Sequence, residues 1–158
     1  MFRAYLLTAL LLSGCATDDS CGTVSCLNQG LCANGSCLCL DGFEGESCEL
    51  VTRDRLVGTY NGQEVCTDVA PYTYPLFIAE GTEGAASILI GNFANRVIGV
   101  RGTIEGSGVR IPDQTIQVQS GNVQVEGAGI LSDTSLFFYF TLQDASGMHE
   151  CNLLIPLN

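Results

Sequence analysis

From Leu56 onward, apolar and polar residues alternate with a period of two in short runs, and no run sustains the 3.6-residue period of an amphipathic helix. Such alternation sends successive side chains to opposite faces of a strand, one toward a core and one toward water. The candidate strands are Leu56 to Asp68, Thr73 to Ala79, Ala86 to Gly91, Val97 to Glu105, Gly108 to Ile111, Thr115 to Gln119, Asn122 to Leu131, Ser135 to Leu142 and Met148 to Ile155. The pattern is cleanest near the C-terminus, where Leu136, Phe138, Phe140 and Leu142 share the expected core face and Phe137, Tyr139 and Thr141 the opposite one. Turn-forming stretches separate the runs, among them residues 80–84, Gly106-Ser107, Ser120-Gly121 and Asp144 to Gly147. The glycines of Gly102 to Gly108 and of Gly127-Ala128-Gly129 read as turn and bulge residues, because no helix signal follows that would build a phosphate loop. Strands joined by short turns make an antiparallel meander, and eight or nine of them predict an all-β domain, a small barrel or a two-layer sandwich.

Residues before Leu56 are organised by cysteine. Of nine in the chain, six lie between Cys21 and Cys48, a stretch too short to build a core by burial alone. Their spacing is Cys21-x4-Cys26-x5-Cys32-x4-Cys37-x-Cys39-x8-Cys48, with Asn28-Gln29-Gly30 between the second and third and Gly42-Phe43-Glu44-Gly45-Glu46-Ser47-Cys48 at the end. This order resembles the epidermal growth factor-like module. The resemblance implies the pairs Cys21 with Cys32, Cys26 with Cys37 and Cys39 with Cys48, with Phe43 supplying almost the only large apolar surface. Zinc is not expected, because the module holds no histidine and thiols in an oxidising compartment form disulfides. Calcium-binding members of the family carry a set of oxygen ligands that Thr17, Asp19, Ser20 and Asn34 match at two positions only, so no metal is assigned. The two remaining cysteines, Cys66 and Cys151, stand in the first and last candidate strands, where a bridge would tie the ends of the β domain together.

Met1-Phe2-Arg3 and the apolar run from Ala4 to Leu12 read as a signal peptide over residues 1–14, since the run is far below the ~20 residues that cross a bilayer. It ends in Leu12-Ser13-Gly14-Cys15, which resembles the bacterial lipobox. That resemblance implies a lipidated Cys15 as the first residue of the mature chain and a membrane partner reached through the acyl anchor, each buried CH₂ contributing roughly 0.8 kcal/mol. Ala16, in place of an aspartate, implies the outer membrane, and Asp18 and Asp19 resemble the short acidic stretch that displays lipoproteins on the surface of Bacteroidetes-type bacteria. The expected plan is a signal peptide over 1–14, a tether over 15–20, the small module over 21–48, a linker over 49–55 and the β domain over 56–158.

Seventeen acids against six arginines and no lysine give a net charge of -11, which argues against a nucleic-acid surface and leaves no residue for Schiff-base or P-loop chemistry. No catalytic set is legible: His149 is the sole histidine, and a Ser-His-Asp arrangement would have to assemble from distant positions. No cofactor is expected. Leu56-Val57-Gly58-Thr59-Tyr60 is weakly similar to the opening of lipocalin-like barrels, with Tyr60 where those have tryptophan, and is also similar to the start of β-rich C-terminal domains of exported Bacteroidetes-type lipoproteins. The expected function is binding or adhesion to a protein or glycan partner without turnover, through a barrel whose interior is filled and whose Phe137 and Tyr139 face is the candidate contact. The alternative is a lipocalin-like carrier of a small apolar ligand, which would need roughly 300 Å³ of apolar cavity.

Overall fold

A computed structural model describes residues 19–67 and 69–157. Cys15 and the expected signal peptide lie outside the described residues. The N-terminal module begins with a short 3-10 turn, Asp19–Cys21, followed by two small hairpins, β1 (Leu31–Ala33) with β2 (Ser36–Leu38) and β3 (Phe43–Glu44) with β4 (Leu50–Val51). Disulfides join Cys21 to Cys32, Cys26 to Cys37 and Cys39 to Cys48, so cross-links take the place of a large core. Residues 49–55 are not a free linker. Leu50–Val51 completes the second hairpin, the Thr52 N–H donates to the Gly42 carbonyl at 2.9 Å, and Thr52–Arg55 form a 3-10 helix. The main-chain groups that a linker would leave to water are paired here.

Eight strands follow among the described residues: β5 (Gly58–Cys66), β6 (Tyr72–Glu80), β7 (Ser87–Phe93), β8 (Ile98–Glu105), β9 (Gly108–Val118), β10 (Gly121–Leu131), β11 (Ser135–Asp144) and β12 (Gly147–Pro156). Each pairs antiparallel with the next, and β12 returns to β5 from Cys151↔Cys66 to Leu154↔Gln63, which closes a barrel and excludes the sandwich. The two candidate strands expected around Pro112 are one strand, β9. Pro112 and Asp113 together oppose Glu126 as a bulge, since Gln114 pairs with Val125 and Ile111 with Gly127. The ladder to β8 ends at Thr103↔Arg110, so the N–H that proline lacks costs no bond on that side.

Inward positions fill the barrel. Phe93 packs its ring 4.6 Å from that of Phe140 and 6.3 Å from that of Phe138, with Leu76, Ile90, Ile111, Leu136 and Leu153 around them, all of them almost fully buried. Room for these rings comes from Gly127 and Gly129, the cross-strand partners of Phe140 and Phe138. A Cβ on Gly127 would stand 2.6 Å from Cβ of Phe140, and one on Gly129 2.7 Å from the Phe138 ring. These glycines are therefore inward strand positions and not turn residues; only Gly127 borders the bulge.

The module sits on one end of the barrel. Asp41 Oδ1 accepts from the Gly106 N–H at 2.9 Å, Arg55 pairs with Glu44 at 2.9 Å and donates to the Ser132 carbonyl, and Arg53 pairs with Glu80 at 2.9 Å and donates to the Gly84 carbonyl. Nearby, Tyr60 is buried and donates to the Leu56 carbonyl at 2.8 Å. Among the described residues, the module leaves the opposite end, where the β7–β8, β9–β10 and β11–β12 turns lie, uncovered, and this is the open end.

Candidate functional site

The alternation of β5 carries Tyr60, Gly62 and Glu64 inward, which brings a carboxylate to the open end of the barrel at 1% exposure. Register places Glu64 opposite Tyr72 and Gly62 opposite Tyr74, and the missing Gly62 side chain leaves room for Leu76 and Leu153, whose methyl carbons would stand 2.6 and 2.8 Å from a Cβ there. Tyr72 donates a short hydrogen bond to Glu64 Oε1 and Tyr74 donates to Oε2 at 2.6 Å, while the Tyr74 hydroxyl also accepts the Ala94 N–H at 3.1 Å. Burial first, then the hydrogen bond and charge of Glu64, hold both phenols well above the usual tyrosine range. The Cys66 sulfur lies 3.2 Å from Oε1, but it is bonded to Cys151, so the group Glu64, Cys66 and Cys151 offers no thiolate to a metal. These residues, with Val69, Arg96, Leu142, Ser146 and His149, line a pocket of about 190 Å³.

His149 reaches the same end. Its Nε2 stands 3.0 Å from the Ser146 Oγ and 3.8 Å from Asp144, and Asp144 also pairs with Arg96 at 2.6 Å. A nucleophilic serine must give its proton to histidine, with the acid behind the imidazole. Here the Ser146 hydroxyl donates to Asp144, and the same histidine nitrogen faces both, so the group caps the β11–β12 turn instead of activating Ser146. The Ser146 hydroxyl is the main reason the Asp144 carboxyl falls from 3.8 to about 2; burial opposes it, and the Ser146 N–H and Arg96 add to it.

Across Arg96 lies a larger opening. The β8–β9 ladder has three pairs, all near the module end, although both strands run on toward the open end. At the fork the Gln114 side chain takes the place of a ladder bond, accepting from the Arg101 N–H at 3.0 Å and donating to the Arg101 carbonyl at 2.8 Å. Beyond it the strands diverge around a cleft of about 860 Å³, lined on one side by Arg96 to Gly99 and on the other by Ile116 to Ser120 and Val123.

The sequence-predicted contact residues lie elsewhere, on the outer wall. Phe137 and Tyr139 are 40% and 49% exposed, and Ile130, the register partner of Phe137, is 70% exposed. Leu154 lies on the other side of Phe137, and Asn152 and Val65 continue the row of Tyr139, so the patch runs across β10, β11, β12 and β5. Beside Tyr139 a shallower groove of about 360 Å³ crosses Ala128 toward Arg110, Asp113 and Glu126. Cys66 and Cys151 face each other across the closing strands and are bonded. Sequence reasoning did not single out Glu64, Tyr72, Tyr74 or Arg96. The available signal was parity: Glu64 shares the inward face of Tyr60, so an acid was being sent to a core position.

No protein-family model matches the chain. Among solved structures, a redesigned beta barrel is similar at 17% identity and a TM-score of 0.44, over 66% of this chain and 93% of that one.

Proposed function

We propose that this chain is an exported, lipid-anchored binding protein of the outer membrane, displayed at the cell surface, which holds a protein or glycan partner against its barrel without turnover. The observation that carries this reading is the row of exposed apolar side chains Ile130, Phe137 and Tyr139 on adjacent strands, with Val65 beyond Asn152, because contiguous exposed apolar surface marks interaction sites. In this reading Cys15 bears the lipid, the module, read as epidermal growth factor-like, is a rigid spacer, and its docking on one barrel end turns the wall and the open end outward. The filled interior counts against a lipocalin-like carrier, since Phe93, Phe138 and Phe140 occupy the space an axial ligand would take.

The test is adhesion of cells displaying the full chain to surfaces coated with matrix proteins or with glycans. Changing Phe137→Ser and Tyr139→Ser together should lower retention about tenfold or more, as loss of two aromatic anchors does at protein interfaces. Retention equal to wild type, with equal display, would remove the wall as the contact.

A further inference from the structure

We propose that the cleft between β8 and β9 is a slot for an extended segment of another polypeptide, which hydrogen-bonds to the two strand edges and sets a carboxylate against Arg96. This second surface is distinct from the outer wall and does not depend on it. The argument begins with direction. Both the N–H and the C=O of Arg101 engage the Gln114 side chain, so the main-chain groups of Arg101 face β9. In an antiparallel sheet these groups alternate sides, so those of Gly99 also face β9, while Val100, paired with Ile90, turns toward β7. On β9 the two-residue turn at Gln119-Ser120 makes Val118 and Gly121 a bonded pair, so Val118 and Ile116 face β10. Thr115 and Gln117 then face the cleft. No ladder pairs Gly99 with Thr115 or Gln117. Two strand edges outside any ladder therefore confront each other across a gap that the Gln114 side chain spans at its apex.

Exposed edges of this kind bind strands, and native sheets usually block them. The lining of this cleft has no proline and no lysine, Gly99 presents no side chain outward, and Ile98 and Val123 are buried beneath it with Ile116 and Val118 partly so. An entering strand would place alternate side chains on that apolar floor. Charge defines its other requirement. Arg96 is the charged residue among the described lining, and only part of its guanidinium is engaged by Asp144, which leaves further N–H donors at the mouth. The chain's net charge of -11 repels an acidic partner at long range, so it is the remaining Arg96 donors at this mouth that a partner carboxylate would meet.

The probe is a pool of synthetic heptapeptides, alternating apolar and polar residues and including acidic ones, panned against the full chain. Retained peptides should be acidic and should slow amide hydrogen exchange at Gly99, Thr115 and Gln117 about tenfold or more. N-methylation of alternate peptide amides should abolish binding, and Arg96→Gln should weaken it about tenfold. Gly99→Pro removes one edge donor while its β7-side pairing loses no hydrogen bond, and should weaken binding with the circular dichroism unchanged. The proposal is overturned if no peptide is retained at about millimolar concentration, if retained peptides protect amides elsewhere, or if N-methylated peptides bind equally well. It is also overturned if those amides are already slowed in peptide-free protein that sediments as a dimer, which would make a second copy the occupant.

Discussion

Glu64 lies 1% exposed, and no ion pair reaches it among the described residues, so the phenols of Tyr72 and Tyr74 carry its stabilisation. Removing one donor strands a carboxylate oxygen away from water. Tyr74→Phe should therefore lower unfolding free energy by about 1 to 3 kcal/mol, read from urea midpoints, and a change below about 0.5 kcal/mol would show that water or another donor serves Oε2. Asp144 behaves differently because its partners favour the charged form. Its folded pKa of about 2 lies below the ordinary 3.8, so its contribution to stability is present above pH 3.8 and disappears as pH falls toward 2. The stability difference between wild type and Asp144→Asn should shrink across that interval. Ser146→Ala should raise the carboxyl midpoint toward 3.8 in an NMR titration, and an unmoved midpoint would assign the shift to Arg96 instead.

Strands β10 and β11 show how one small residue supports a large one across a ladder. Gly127→Ala and Gly129→Ala each press a Cβ to within 2.7 Å of an aromatic partner, so each should destabilise by about 1 to 3 kcal/mol in thermal melts. Ala128→Ser, between them on the outer face, should stay within about 0.5 kcal/mol. Equal effects at all three would contradict the inward assignment. The same strands mark what the sequence could convey. Period-two alternation located the core face of Leu136, Phe138, Phe140 and Leu142, because burial on one face imposes that period directly. It read the glycines opposite as turn and bulge residues, and although Gly127 does border the bulge, a glycine that makes room for an aromatic ring and one that makes a turn are identical until register is known. It also divided β9 at Pro112-Asp113, where a bulge keeps the strand continuous, and it missed β4 because two residues carry no periodicity. Glu64 and Tyr72 meet only through the β5–β6 register, which hydrophobic pattern leaves undetermined.

At the scale of the whole molecule, the barrel is closed by backbone pairing and by one cross-link between its first and last strands. Cys66 and Cys151 are 85 residues apart, so losing the bridge in a Cys66→Ala/Cys151→Ala variant should cost up to about 4 to 5 kcal/mol on the chain-entropy account, seen as a lower denaturation midpoint. A midpoint unchanged by the double substitution would place the closing stability in the strand ladder alone. The larger claim is that the molecule binds partners on its surface and not in its lumen, and a titration of the full chain with a fluorescent fatty acid tests it most directly. The account predicts no saturable binding beyond that of the denatured protein, because Phe93, Phe138 and Phe140 fill the axis. Saturable one-to-one binding that is lost on unfolding would contradict it and make the barrel a carrier.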